Sequence, residues 1–423
     1  MKRRAFLKSA AAAGAASLLP AGVLGSVLSG CKPKGAGASW NFDEVIDRSG
    51  TWSIKQSRAV DGKLAMWIAD MDFKTDPVVR VALAQRIDRD VMGYTFTPEA
   101  YYEALVHWER TRHGFEVERE WAGACPGVIG SICQAYLTFT EPGDRIVVQP
   151  PVYNPFRDFA VRLGREVVDN PLVCRDGRYE MDLEGLERVL DARTKVLVLC
   201  NPHNPIGILW SSETLVRLAE ICERHGVIVI SDEIHADLAL YGRRHVPFCS
   251  ACDAAARIGL TFASPTKSFN LAGLTGTAYC IIPDPEKRKR FYDTLRSVKL
   301  SEPSVLSLVA TIAAYTHEPE WLDSLTHYLD GNVDYVMDSL EDGPAGIKAV
   351  RPEASFLVWL DCRGLQLSQP DLMHLFNEEA GVVVNDGSSY GTGGEGFVRL
   401  NVGCPRSVVA EAVSRIRAAV AKL

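Results

Sequence analysis

The chain has 423 residues, 47% of them apolar and 23% charged, which is enough to bury a large core and too apolar for a disordered chain. A formal net charge of −7 argues against a nucleic-acid partner. The one basic run, Lys287-Arg288-Lys289-Arg290, follows a Pro-Asp-Pro turn and reads as the solvated face of a helix.

The first 31 residues read as a leader. Met1-Lys2-Arg3-Arg4 is followed by an Ala- and Leu-rich stretch of the twin-arginine export type, and Leu28-Ser29-Gly30-Cys31 is similar to a lipobox. The expectation is an exported chain, lipidated on Cys31, that meets the membrane through that anchor alone. Residues 32–39 read as a flexible tether. Ten further cysteines lie mostly in apolar runs and are expected to be buried free thiols; Cys249 and Cys252 have the spacing of a redox or metal pair, but no second pair accompanies them.

From Trp40 to about Arg80 the pattern is irregular, with Trp67-Ile68-Ala69-Asp70-Met71-Asp72-Phe73 as an apolar stretch that carries two acids and reaches towards a pocket. A first helix precedes Gly93-Tyr94-Thr95, and Tyr101 to His113 reads as a second, amphipathic one. Gly123 to Ile129 then leads into an apolar helix ending near Thr140, so a glycine-bearing turn meets a helix N-terminus, where free amides suit a phosphate. Strands are expected at Arg145 to Val148, Thr194 to Cys200, Val227 to Ile230, Ile258 to Phe262 and Ala278 to Ile282, with a helix from Glu213 to His225. Strand and helix in alternation imply an α/β fold, a mostly parallel sheet sandwiched by helices, with ligands gathering at the carboxyl ends of the strands. Tyr153, Asn204, Asp232 and Lys267 fall at those ends.

Beyond the sheet, Ser304 to Thr316 and Trp321 to Leu340 read as long helices. Phe356 to Leu360, Phe397 to Asn401 and a closing helix from Ser407 to Ala421 read as a smaller α+β domain. The expected division is an N-terminal segment of the small domain at 40–80, a large domain at 81–317 and the rest of the small domain at 318–423. Arg399 sits inside an apolar strand with no acid nearby in sequence, which suits either an internal salt bridge or a bidentate hold on a substrate carboxylate.

Lys267 follows a buried strand and precedes small residues that let the chain turn. A desolvated amine in such a place attacks aldehydes, and the candidate aldehyde is pyridoxal phosphate (PLP), whose lysine is accompanied by an acid for the ring nitrogen. Asp232, at the end of a neighbouring strand, is that acid.

Asn201-Pro202-His203-Asn204-Pro205-Ile206-Gly207, Ser231-Asp232-Glu233-Ile234-His235, Ser264-Pro265-Thr266-Lys267 and Arg399 together resemble the fold-type I PLP enzymes of the aspartate aminotransferase superfamily. Asp47-Arg48-Ser49-Gly50-Thr51-Trp52, Asp70-Met71-Asp72-Phe73, Lys267-Ser268-Phe269-Asn270 and Arg399-Leu400-Asn401-Val402-Gly403-Cys404-Pro405-Arg406 are more closely similar to its cystathionine β-lyase-like branch, the MalY/PatB type. The resemblance implies that Lys267 holds the cofactor and moves the Cα proton, while Asp232 partners the pyridine nitrogen. It implies that Asn204 bonds the ring hydroxyl, that Tyr153 stacks on the ring, and that Arg399 takes the substrate carboxylate. Val128 and Ile129 amides with Ser264 would hold the phosphate, joined by Tyr94 from the other subunit of a homodimer with shared active sites. Thr275 stands where many aminotransferases have a phosphate-binding arginine, and His235 where many have a tyrosine that bonds the ring hydroxyl; both departures agree with the lyase branch.

The implied activity is β-elimination on a thioether amino acid, giving thiol, pyruvate and ammonia. Two alternatives use the same residues: a class I/II aminotransferase and a PLP-binding regulatory protein. Retention of Lys267, Asp232 and Arg399 together favours chemistry over regulation.

Overall fold

A computed structural model describes residues 40–175, 177–341 and 346–423. The leader at 1–31, its Cys31 and the tether at 32–39 lie outside the described residues. Residues 40–423 form one compact unit.

Seven strands make the main sheet: β1 (Ala122–Cys125), β2 (Arg145–Val148), β3 (Glu166–Asp169), β4 (Thr194–Cys200), β5 (Ile228–Asp232), β6 (Gly259–Ala263) and β7 (Ala278–Ile281). Their spatial order is β1-β7-β6-β5-β4-β2-β3, and β7 runs antiparallel to both of its neighbours. The other adjacent pairs are parallel, as helical crossovers between successive strands require.

Alternation along the strands sends residues to two separate cores. Ile146, Val148, Val196, Val198 and Ile230 pack with the helices Val128–Phe139 and Pro155–Arg162. Val147, Leu197, Leu199 and Val229 face the other way, towards Leu215 and Leu218 of the helix Ser212–Arg224. Both faces of the sheet are therefore covered, which is why its strands read as unbroken apolar runs. The edge strand β3 has half-exposed, partly charged residues and gives no such run.

A second, antiparallel sheet is built from β8 (Lys348–Val350), β9 (Leu357–Asp361), β10 (Asn385–Asp386) and β11 (Phe397–Asn401), in the order β8-β9-β11-β10. The early segment belongs beside it, since Leu64 and Ala65 pair with Val382 and Val383 and the Asn401 amide donates to the Met66 carbonyl. The irregular stretch ends earlier than expected. Asp76 caps a helix Pro77–Ile87 by accepting from the Val78 amide at 2.7 Å.

The helix expected from Tyr101 to His113 is regular over Glu99–Trp108 and widens into a π-type turn over Glu109–His113. The wider turn carries both Glu109 and His113 inward, where the Tyr279 hydroxyl donates to Glu109 at 2.7 Å and His113 meets Asp237 at 3.0 Å. Lys287 to Arg290 lie on the helix Pro285–Ser297 among its Asp284 and Asp293 ion pairs. Seven of the ten cysteines are buried and all ten are free thiols, Cys249 and Cys252 included. Among the described residues no helix is long and apolar enough to cross a membrane.

Candidate active site

Three adjacent strands, β4, β5 and β6, end on one side of the sheet, and the segments that follow them converge. The Asn201 amide donates to the Asp232 carbonyl and the Glu233 amide to the Phe262 carbonyl, so Asn204, Asp232 and Lys267 are delivered side by side. A cavity of about 310 Å³ opens there, lined by Val128, Ile129, Tyr153, Asn204, Asp232, His235 and Lys267 among others. Seven of the residues singled out from sequence thus surround one space, at the low end of the range for small-molecule sites.

Asp232 is buried, and its carboxylate accepts a single hydrogen bond, from the Ile234 amide at 3.1 Å. Burial raises its carboxyl to about 7, against the pull of that bond and of the Lys267 amine. Lys267 is brought down to about 8 by burial and by Arg399, while the nearby Asp70 and Asp232 carboxylates work the other way. Its ammonium nitrogen donates to the Ala69 carbonyl, so the strap around Ala69 and Asp70 closes one wall. His235 is buried and held to about 3, chiefly by burial and then by Lys267 and Arg399, which leaves a neutral ring bonded to the Ser355 hydroxyl at 3.1 Å.

The helix Val128–Phe139 points its N-terminus into the cavity. Gly127 before it has φ +152°, a conformation that side-chain-bearing residues rarely adopt, and the Val128 and Ile129 amides belong to the first turn, where no intrahelical acceptor exists. Ser264 caps the short helix that follows it. Its hydroxyl accepts from the Thr266 amide at 3.2 Å and pairs with Thr277, and Thr266 rather than Ser264 lines the cavity.

Arg399 is 3% exposed in the middle of β11 and, among the described residues, has no carboxylate partner. Its nitrogens donate to Asn204 Oδ1 at 2.9 Å, to the Trp67 carbonyl at 2.9 Å and to Asn385 Oδ1 at 2.6 Å, and its Nε has no partner. Among the described residues the internal salt bridge is thereby excluded. With its carbonyl oxygen taken by Arg399, Asn204 keeps its amide NH2 for the cavity. Tyr94 is not part of this chain's cavity; it is fully exposed.

The family model for class I and II aminotransferases matches residues 63–416. The chain belongs to that family. Cystathionine beta-lyase PatB of Bacillus subtilis is 41% identical over 385 residues, which is 90% of this chain and 99% of that protein. Protein MalY of Escherichia coli is 35% identical, across 89% of this chain and 97% of its own. Cystalysin from Treponema denticola, whose crystal structure contains pyridoxal 5′-phosphate, has a TM-score of 0.87 at 30% identity and covers 91% of this chain and 99% of its own.

Two features of this aminotransferase-family site escaped the sequence. Arg48 bridges Asp70 at 2.8 Å and Asp72 at 2.7 Å, and the fully buried Lys55 also bonds Asp72, so charges bring the strap against the site. Asn401 fastens the same strap by donating to the carbonyls of Ile68 and Asp70. The two acids in an apolar run were the available signal. Their cationic partners lie 17 to 24 residues away in sequence, with no periodic relation to them.

Proposed function

We propose that the chain is a PLP-dependent carbon–sulfur β-lyase that splits a thioether amino acid into a thiol, pyruvate and ammonia. The identity with PatB, a protein named as a cystathionine β-lyase, along nearly its whole length carries the reaction type.

The site's residues fit the cofactor. A buried carboxylate with one hydrogen bond, raised to about 7, suits a partner that carries an N–H, as a protonated pyridine does. First-turn amides at Val128 and Ile129 suit a phosphate, and the Asn204 NH2 suits a ring hydroxyl. Bound there, PLP would supply an electron sink that acidifies the substrate Cα–H.

Lys267 would hold the cofactor and then take the Cα proton, a task for which an amine lowered to about 8 is better matched than an exposed one. Arg399 would fix the substrate carboxylate, and Tyr153 would lie along the ring. Loss of the Cα proton and of a thiolate from Cβ, followed by addition of water to the three-carbon remainder, balances as pyruvate and ammonia. The second reading, an aminotransferase, rests on the family as a whole and on the same lysine. The comparison that decides is pyruvate formation from cystathionine without any keto acid against amino transfer to 2-oxoglutarate. Elimination is expected to dominate; transfer faster in kcat/KM by about tenfold, some 1.4 kcal/mol in the barrier, would replace the lyase with the transferase.

We also propose a homodimer in which Tyr94 completes the partner's phosphate site. Trp52, Ile54, Val91, Met92, Tyr94 and Phe96 all stand in solvent, Trp52 at 98% exposure, an apolar surface that supports burial against a second copy. Mixing Tyr94→Phe and Lys267→Ala subunits should restore some activity through hybrid sites. A fully active monomer in sedimentation would refute the arrangement.

A further inference from the structure

Lys267 rides on the helix Pro265–Ser268, a single turn of four residues. So short a helix has no stability of its own, and its position must come from what its ends are fastened to. At the N-terminal end Ser264 caps it. At the other end the Ser268 hydroxyl, fully buried, donates to Asp237 at 2.8 Å.

Asp237 lies in the turn Ala236–Leu238, just after the strand that delivers Asp232. Its carboxylate also accepts from Trp108 Nε1 at 2.8 Å and meets His113 Nε2 at 3.0 Å, and Arg112 donates to its backbone carbonyl at 3.1 Å. Burial alone would raise the Asp237 carboxyl, but the bond and charge of His113 hold it below the usual range; His113 is raised in return, in spite of burial, by Asp237 and Glu109. The surrounding groups are Glu109, bonded by Tyr279, and Glu233, bonded by His245 at 2.8 Å. A cavity of about 580 Å³, separate from the one at Lys267, is lined by Trp108, Arg112, His113 and His245 and reaches this network from the far end.

We infer that Asp237 is a positioning residue for Lys267, acting through the Ser268 hydroxyl, with His113 and Trp108 fixing the carboxylate in turn. The inference rests on the reading of Lys267 as the cofactor lysine. A neutral residue could fill the space, yet here a buried charge is aimed at the residue next to the lysine, and Trp108, Arg112 and His113 of the one helical segment 99–113 hold it in register. Such a device controls where the amine points rather than what the site binds. Its loss should therefore appear in turnover and in the ionisation of the loaded site more than in substrate affinity.

The test uses PLP-loaded full-length protein with Ser268→Ala, Ser268→Thr and Asp237→Asn. For Ser268→Ala and Asp237→Asn, kcat for pyruvate formation should fall about tenfold or more, with KM within about twofold, because small misplacements of a reacting group cost rate. The pH midpoint of the bound cofactor's visible absorbance should move by about half a unit or more. Ser268→Thr, which keeps the hydroxyl, should restore both. If Ser268→Ala and Asp237→Asn keep the parent's midpoint and kcat while melting at a lower temperature, the network is structural only and the inference is overturned. Should Asp237→Asn fail to fold, Ser268→Ala decides alone. A parent protein that develops no visible band with PLP would sink the reading of Lys267 and this inference with it, an outcome distinct from a parent band that the variants leave unmoved.

Discussion

Lys267→Ala is expected to abolish formation of the visible PLP band and to reduce pyruvate production from cystathionine by roughly 10²–10⁴-fold or more, the range for removal of a positioned proton carrier. The expectation follows from the location of the amine. It lines the cavity with Asp232 and is depressed to about 8 by burial, so it is the group there able to hold an aldehyde and to accept a proton near neutral pH. The loss should not be one of folding. A lysine whose folded value lies below its unfolded one costs stability at low pH, and the cost fades as pH rises from about 8 towards the unfolded value. The alanine variant should consequently melt no lower than the parent at pH 7. Retention of both the band and turnover would remove Lys267 from the chemistry.

The large sheet was legible because its strands are covered on both faces and so appear as continuous apolar runs, such as Val196 to Cys200 and Leu260 to Ala263. Its chemistry was legible for the complementary reason. Asp232, Lys267 and Arg399 are charged residues in or just after such runs, and a charge in that position is too costly to be incidental. What stayed hidden depends on pairing at a distance. The orientation of β7 is set by its registers with β1 and β6, which its own residues do not encode. The strap from Trp67 to Phe73 is held by Arg48, Asn270, Arg399 and Asn401, through carbonyl groups that every residue has. Ser264 adds a local role that the motif did not announce: its hydroxyl accepts from the Thr266 amide and caps the turn that carries Lys267.

Arg399→Lys should lower kcat/KM for a thioether amino acid by roughly 10²-fold or more, because truncating one member of a buried, hydrogen-bonded charge pair costs about 2–5 kcal/mol. The guanidinium is buried and its partners are all neutral: two side-chain amide oxygens, one backbone carbonyl and the face of Tyr390 at 5.3 Å. A buried charge without a counter-charge is expensive, and here the missing counter-charge is what a substrate carboxylate would bring. Lysine keeps the charge but cannot present two parallel donors, so the substitution tests the forked geometry rather than the sign. The defect should lie in handling of the carboxylate, with the visible PLP band preserved, since Asp232, Lys267 and the Val128 turn are untouched. The sharper measurement compares a thioether amino acid with its amine analogue lacking the carboxylate. The parent should prefer the amino acid strongly, and that preference should collapse in the variant because the amine has nothing for Arg399 to hold. If both proteins discriminate equally between the two compounds, Arg399 serves the strap and Asn204 alone, and the carboxylate is bound elsewhere.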